Sequence, residues 1–173
     1  MNFWKNLSPI ARFLIAFCVL LGAFYAFYYS GFYTTYIMPR ILNVQAMMAN
    51  NLLKLMGHQT FFANDSIASD KFRVSIKSGC DGIEATAVFV TAVLAMPLVT
   101  WREKWPGLLT GVLVLSILNI LRIAGLYLAG LYWPSLFEIL HLHGGVVIFL
   151  MFSIVLWLIW VNRILKRRQT NQK

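Results

Sequence analysis

Cys80 lies in the segment Lys77-Ser78-Gly79-Cys80-Asp81-Gly82-Ile83-Glu84-Ala85, where an alternating polar stretch gives way to a long apolar run. A thiol at that boundary can serve as a sulfur nucleophile. Its thiolate is the reactive form, and the head of a helix, where the macrodipole favours an anion, lowers a thiol pKa. Gly79 and Gly82 on either side permit unusual backbone angles and close approach of a substrate chain. The plain alternative is a small packed core cysteine. The flanking glycines and the helix-start position favour the nucleophile.

Two further residue types are out of place in apolar surroundings. Arg122 lies within the run Leu108 to Trp133, one turn after Asn119 on the same helical face. A charged residue there costs about 2.5–3.5 kcal/mol on insertion scales and normally turns to the bundle interior. Its guanidinium can hold a carbonyl or a developing oxyanion, or it can form a structural ion pair with Glu84. His141 and His143 stand just before the last apolar run. A neutral imidazole beside a thiol acts as base or as leaving-group acid; a polar interfacial residue is the other use of a histidine there. His58 reads as a loop residue, Asp81 as a helix cap and Glu138 as a solvated turn residue. Glu84, four residues after Cys80, shares its helical face if the helix starts at the cysteine. The spacing of His58, His141, His143 and Cys80 matches no zinc pattern, so no metal and no cofactor is expected.

These residues need a membrane scaffold to position them. The chain has 173 residues, of which 60% are hydrophobic, with a net charge of +9. Its mean hydropathy is +0.70. A soluble domain is about 45–50% apolar, and a spanning helix needs about 20 apolar residues. Four runs stand out: Ile10 to Phe32, Ile83 to Val99, Leu108 to Trp133 and Val146 to Val161. The first is crowded with aromatics and lacks a small-residue cleavage pattern, so it reads as a retained helix. The expected fold is therefore all-α and polytopic, with about four transmembrane helices, in one membrane-embedded domain over residues 1–173. Lys5 and Arg12, Arg102 and Lys104, and the tail from Arg163 to Lys173 then share one side, which the positive-inside rule makes cytoplasmic. Both termini are cytoplasmic on this reading. The charge suits anionic lipid, and no nucleic-acid signature accompanies it. Cys18 lies inside the first run, which argues against a bridge to Cys80.

The segment between the first two runs has its own order. Ile41, Val44, Met48, Leu52 and Leu55 recur at helical spacing, and Gly57 is placed to end that helix. It reads as an amphipathic helix on the outer face. Thr60 to Ala63 and Phe72 to Lys77 read as the two strands of a short hairpin around the turn signal Asn64-Asp65-Ser66. This order puts Cys80 and His141 at the outer face. Arg122 is the difficulty: Trp133 lies eleven residues further on, about 16 Å along a helix. It needs a recessed cavity, a protruding helix or a snorkelling side chain.

The set of motifs resembles the exosortase/archaeosortase family of multipass membrane cysteine proteases or transpeptidases, closest to the small exosortase H type. The family's Cys-x-Gly is matched by Cys80-Asp81-Gly82, its Asn-x-x-Arg by Asn119-Ile120-Leu121-Arg122, and its histidine before the last helix by Phe137-Glu138-Ile139-Leu140-His141. The resemblance runs from about Phe13 to Arg163. It departs after the histidine, where Leu142-His143-Gly144-Gly145 replaces the usual aromatics and makes His143 the alternative to His141.

The resemblance implies catalytic Cys80, Arg122 and His141. It implies substrates that are exported proteins with a C-terminal sorting signal: a short motif, a transmembrane helix and a basic tail. It implies cleavage through a thioester at the outer face of a bacterial inner membrane. Two other readings compete. A non-enzymatic assembly or transport subunit would use a structural Arg122–Glu84 pair. A lipid acyltransferase would carry acyl groups on Cys80.

Overall fold

The computed structural model describes residues 6–76, 79–140 and 145–170. It is mostly helical, with a small antiparallel sheet. Helix α1 (Pro9–Tyr28) begins at Ser8, whose Oγ accepts the Ala11 N–H, with Pro9 at the first helical position. A π-helical turn (Tyr33–Ile37) leads into α2 (Met38–Leu55). Gly57, at φ +89°, closes α2 where a Cβ would be strained. Strands β1 (Phe61–Ala63), β2 (Ser66–Ala68) and β3 (Arg73–Ser75) form a meander, pairing Phe62 with Ile67 and Ile67 with Val74. The expected hairpin is thus a three-stranded sheet. The central strand β2 falls where the sequence shows a turn; buried throughout, it has no polar–apolar alternation to read.

Helices α3 (Ile83–Ala95), α4 (Trp101–Tyr132), α5 (Pro134–Ile139) and α6 (Gly145–Thr170) complete the chain. Three helices, α1, α4 and α6, are long and apolar enough to cross a membrane. The second expected span is only the 13-residue α3, about 20 Å at about 1.5 Å per residue against a hydrocarbon core of about 30 Å. Pro97 ends it early, because the residue before a proline is pushed out of the helical region, and Met96 is extended. Where about four spans are expected, the structure thus has three long apolar helices plus this short apolar one.

The long helices turn apolar side chains outward. Leu109, Leu113, Ile117 and Leu121 form an exposed stripe on α4 at four-residue spacing, and Val147, Met151, Val155 and Leu158 form one on α6 at three- and four-residue spacing. Such surfaces belong in lipid. Two clusters fill the interior. One joins α3, α4 and α6 through Phe89, Leu115, Phe149 and Trp160. The other joins α2, the sheet and the later part of α4 through Leu42, Ala46, Leu53, Ile67, Val74, Ile123 and Tyr127, and it includes Cys80.

One end of the bundle carries the basic residues of the α4 start and the α6 tail, while Arg40, Lys54, Lys71 and Arg73 belong to α2 and the sheet layer. Arg168 on α6 pairs with Glu103 at the start of α4 at 2.9 Å and bonds the Leu98 carbonyl. Lys104 donates to the Leu94 carbonyl, and Phe13 of α1 stacks on Trp157 of α6. The start of α4 and the end of α6 thus lie together, and the first turns of α1 pack on the middle of α6. The sheet and α2 pack at the opposite end of α4, where Tyr127 donates to Ser69 and His58 meets the rings of Tyr127 and Tyr132.

Candidate active site

Cys80 lies in a tight turn before α3 and is buried among Val74, Ile76, Ile123 and Tyr127. It is thus not exposed at the boundary where the sequence puts it. The helix it was expected to begin starts three residues later, at Ile83, because Gly82 at φ +71° breaks the helical path. Glu84 therefore does not share a helical face with Cys80. Gly82 is required on two counts. Its φ is left-handed, and an added Cβ would come within 2.8 Å of the Asn119 side chain and 3.0 Å of Phe149. Asp81 does cap the helix: its Oδ1 accepts the Ile83 N–H at 3.1 Å. Its Oδ2 accepts the Tyr28 hydroxyl at 3.2 Å. Burial pushes the Asp81 carboxyl above the ordinary carboxylate range, against the opposing Ile83 N–H, Tyr28 hydroxyl and Arg122 charge.

Arg122 meets Cys80 directly, with Nη2 3.5 Å from Sγ. Its guanidinium also lies over the Phe149 ring at 5.6 Å. Nε and Nη1 are buried and have no hydrogen-bond partner among the described residues. A buried charged donor left unpaired is costly and is ordinarily supplied with an acceptor. No Arg122–Glu84 ion pair forms; among the described residues the ion pair is Arg168–Glu103. The structural pair required by the non-enzymatic reading is therefore not made.

The guanidinium faces an apolar cleft of about 510 Å³ between α4, α5 and α6, lined by Leu121, Trp133, Leu140, Gly145 and Phe152 among others. Gly145 lets the backbone approach it: a Cβ there would come within 2.6 Å of Arg122 Nη2 and of the Leu140 carbonyl oxygen. His141 and His143 lie outside the described residues. Leu140 and Gly145, which flank that segment, both line the Arg122 cleft. His58 lies beside Tyr127 and Tyr132, and Glu138 is exposed on α5.

A family model described as transmembrane exosortase (Exosortase_EpsH) matches residues 7–158, most of the chain. The chain belongs to the transmembrane exosortase family. No curated protein and no solved structure matches it. Membership supports a membrane transpeptidase or protease-like role in general terms, and with three long apolar helices it makes this a membrane protein.

Two contributors to the exosortase site escape sequence reading. Gln45 on α2 donates to the Asp81 carbonyl at 2.8 Å, as Asn119 does from α4. Tyr28, at the end of α1, holds the Asp81 carboxyl. Gln45 carries a usable signal: it sits three residues from Leu42 and four from Ala49, on the buried face of α2. Tyr28 is one of several neighbouring aromatics and carries none.

Proposed function

We propose that this exosortase is a membrane cysteine transpeptidase or protease. It acts on exported proteins that end in a sorting motif, a transmembrane helix and a basic tail. The observation that carries the reading is Cys80 Sγ lying 3.5 Å from Arg122 while two other guanidinium nitrogens remain buried and unengaged among the described residues. One face of the arginine serves the thiolate and the other awaits an oxygen.

The Cys80 thiolate attacks the substrate carbonyl carbon, and the carbonyl electron pair moves to oxygen, which Nε and Nη1 of Arg122 receive. Collapse of that intermediate forms the thioester and breaks the C–N bond. The departing amine takes a proton, a role assigned by family resemblance to His141, with His143 as the alternative. Water or an acceptor amine then attacks the thioester, regenerating the thiol and releasing a carboxylate or a new amide. The cleft beside Arg122 suits apolar substrate residues next to the scissile bond.

The position relative to lipid supports the same reading. Helix α1 has 20 residues, about 30 Å at about 1.5 Å per residue, which is the hydrocarbon thickness. Its last residue, Tyr28, touches Asp81. On this reading the Cys80 turn belongs where the bilayer ends, on the side away from Arg102, Lys104 and the α6 tail, outside the cytoplasm.

Co-expression with a sorting-signal reporter tests the reading. The parent shortens the reporter and accumulates a hydroxylamine-sensitive adduct on Cys80. Cys80→Ala leaves the reporter at full length. Continued processing by Cys80→Ala overturns the proposal.

A further inference from the structure

The turn that carries Cys80 is gripped at the residue after it. The Asp81 carbonyl oxygen accepts from Gln45 Nε2 and from Asn119 Nδ2, both at 2.8 Å. A carbonyl has two lone pairs, so both acceptor positions are filled. The Asp81 side chain is bonded by Tyr28 and by the Ile83 N–H, and Gly82 packs with no room for a Cβ. Helices α1, α2 and α4 thus converge on one residue adjoining the thiol.

Asn119 and Arg122 belong to the same helix, so the Asn119 bond fixes the turn directly against the guanidinium. Gln45 is different. It comes from α2, beside a buried face made of Leu42, Ala46, Ala49, Asn50 and Leu53. Its Oε1 is buried with no hydrogen-bond partner among the described residues. A half-satisfied amide is a poor choice for packing alone, since an apolar side chain of the same size avoids the buried acceptor. The useful part of Gln45 is its N–H.

We infer that Gln45 is a positioning residue for Cys80: its bond to the Asp81 carbonyl holds the turn so that Sγ lies against Arg122. The inference rests on Cys80 being the nucleophile of the proposed reaction. It makes α2 part of the active-site scaffold, so that Cys80 is not set until α2 has docked on α4 and the sheet.

The test uses the full chain in detergent, with Cys18→Ser so that Cys80 is the single thiol. The rate of alkylation by iodoacetamide is followed against pH, and a sorting-signal reporter is followed in parallel. The described charged groups facing the thiol are Arg122 from α4 and Asp81 within the turn. Gln45→Met keeps the volume and removes the donor. It is expected to move the alkylation midpoint upward by about half a pH unit or more, as the thiolate loses its cation. Reporter processing is expected to fall about ten- to a hundredfold.

Asn43→Leu is the control on the same helix; Asn43 bonds the Asn64 carbonyl instead and its loss leaves the midpoint in place. If Gln45→Met does not accumulate, Gln45→Leu is measured with the same expectation. An unchanged midpoint overturns the inference. So does failure of both Gln45 variants to fold while Asn43→Leu folds, which would make the amide purely structural. If Cys80→Ala still processes the reporter, the reaction reading fails, but the midpoint comparison still decides what Gln45 does.

Discussion

Arg122 presents a planar fork of donors, and the proposed reaction depends on that shape as well as on its charge. Nη2 faces the Cys80 sulfur while Nε and Nη1 stay available. A lysine offers one compact ammonium and cannot serve both directions. Arg122→Lys is therefore expected to cut reporter processing by about 10²–10³-fold, the usual effect of losing an oxyanion donor. Membrane insertion and chain yield should be unchanged, as read by membrane fractionation. Near-parental processing by Arg122→Lys would show that charge alone suffices. Gly145 tests the same geometry from the other side. A methyl at Gly145 meets both the guanidinium and the Leu140 carbonyl, so Gly145→Ala must displace the arginine. Processing is expected to fall about ten- to a hundredfold, and the pH midpoint of Cys80 alkylation to rise as the guanidinium leaves the sulfur. An unchanged midpoint with full reporter cleavage would show that the arginine has not moved.

At the scale of elements, the sheet-and-α2 layer determines where the thiol sits. Tyr127 on α4 ties this layer down through its hydroxyl on Ser69. Tyr127→Phe is expected to cost about 1 kcal/mol, the net worth of one hydrogen bond, read as a lower melting temperature in detergent. An unchanged melting temperature would mean that the layer is held by packing alone. The sequence was legible here in kind and misread in detail. Helix α2 and Gly57 follow from periodicity and punctuation. Its expected apolar face does not: Val44, Met48 and Leu55 are exposed, and the buried face is Leu42, Ala46, Ala49, Asn50 and Leu53. In a membrane-associated helix the bulkier apolar residues can face lipid while small ones pack close to the neighbouring helix. Choosing the stripe by hydrophobicity therefore selects the exposed side and hides Gln45. The same reasoning placed Cys80 one helical turn too far along, because Gly82 was read as permissive and not as the residue that delays the helix. By contrast, Asn119 and Arg122 stand out because charge and amide groups inside apolar runs have few other uses, and Cys80 because glycines flank it where a polar stretch meets an apolar run.

The apparent depth of Arg122 is resolved only by the whole molecule. Helix α4 has 32 residues, about 48 Å at about 1.5 Å per residue, against about 30 Å of hydrocarbon. Its later residues, Ile123 to Tyr132, are flanked by α2, the sheet and α5, so they need not lie in lipid. Arg122 then falls near the level where α1 ends, and no snorkelling is required. This arrangement has a topological consequence. The sheet layer and the Arg168–Glu103 pair occupy opposite ends of α4, and the proposed topology puts them on opposite sides of the membrane, with the Arg168 end in the cytoplasm. Single cysteines placed in the Cys18→Ser, Cys80→Ser background at exposed Gln59 and Gln169 should therefore behave oppositely toward a membrane-impermeant maleimide. Gln59→Cys should be labelled in spheroplasts. Gln169→Cys should be labelled only after the membrane is opened. Equal labelling of both in intact spheroplasts would place the two ends on one side, and α4 would then not be a spanning helix. Reversed labelling would put the Cys80 turn in the cytoplasm, where an exported substrate could not meet it, and the proposed reaction would fail with it.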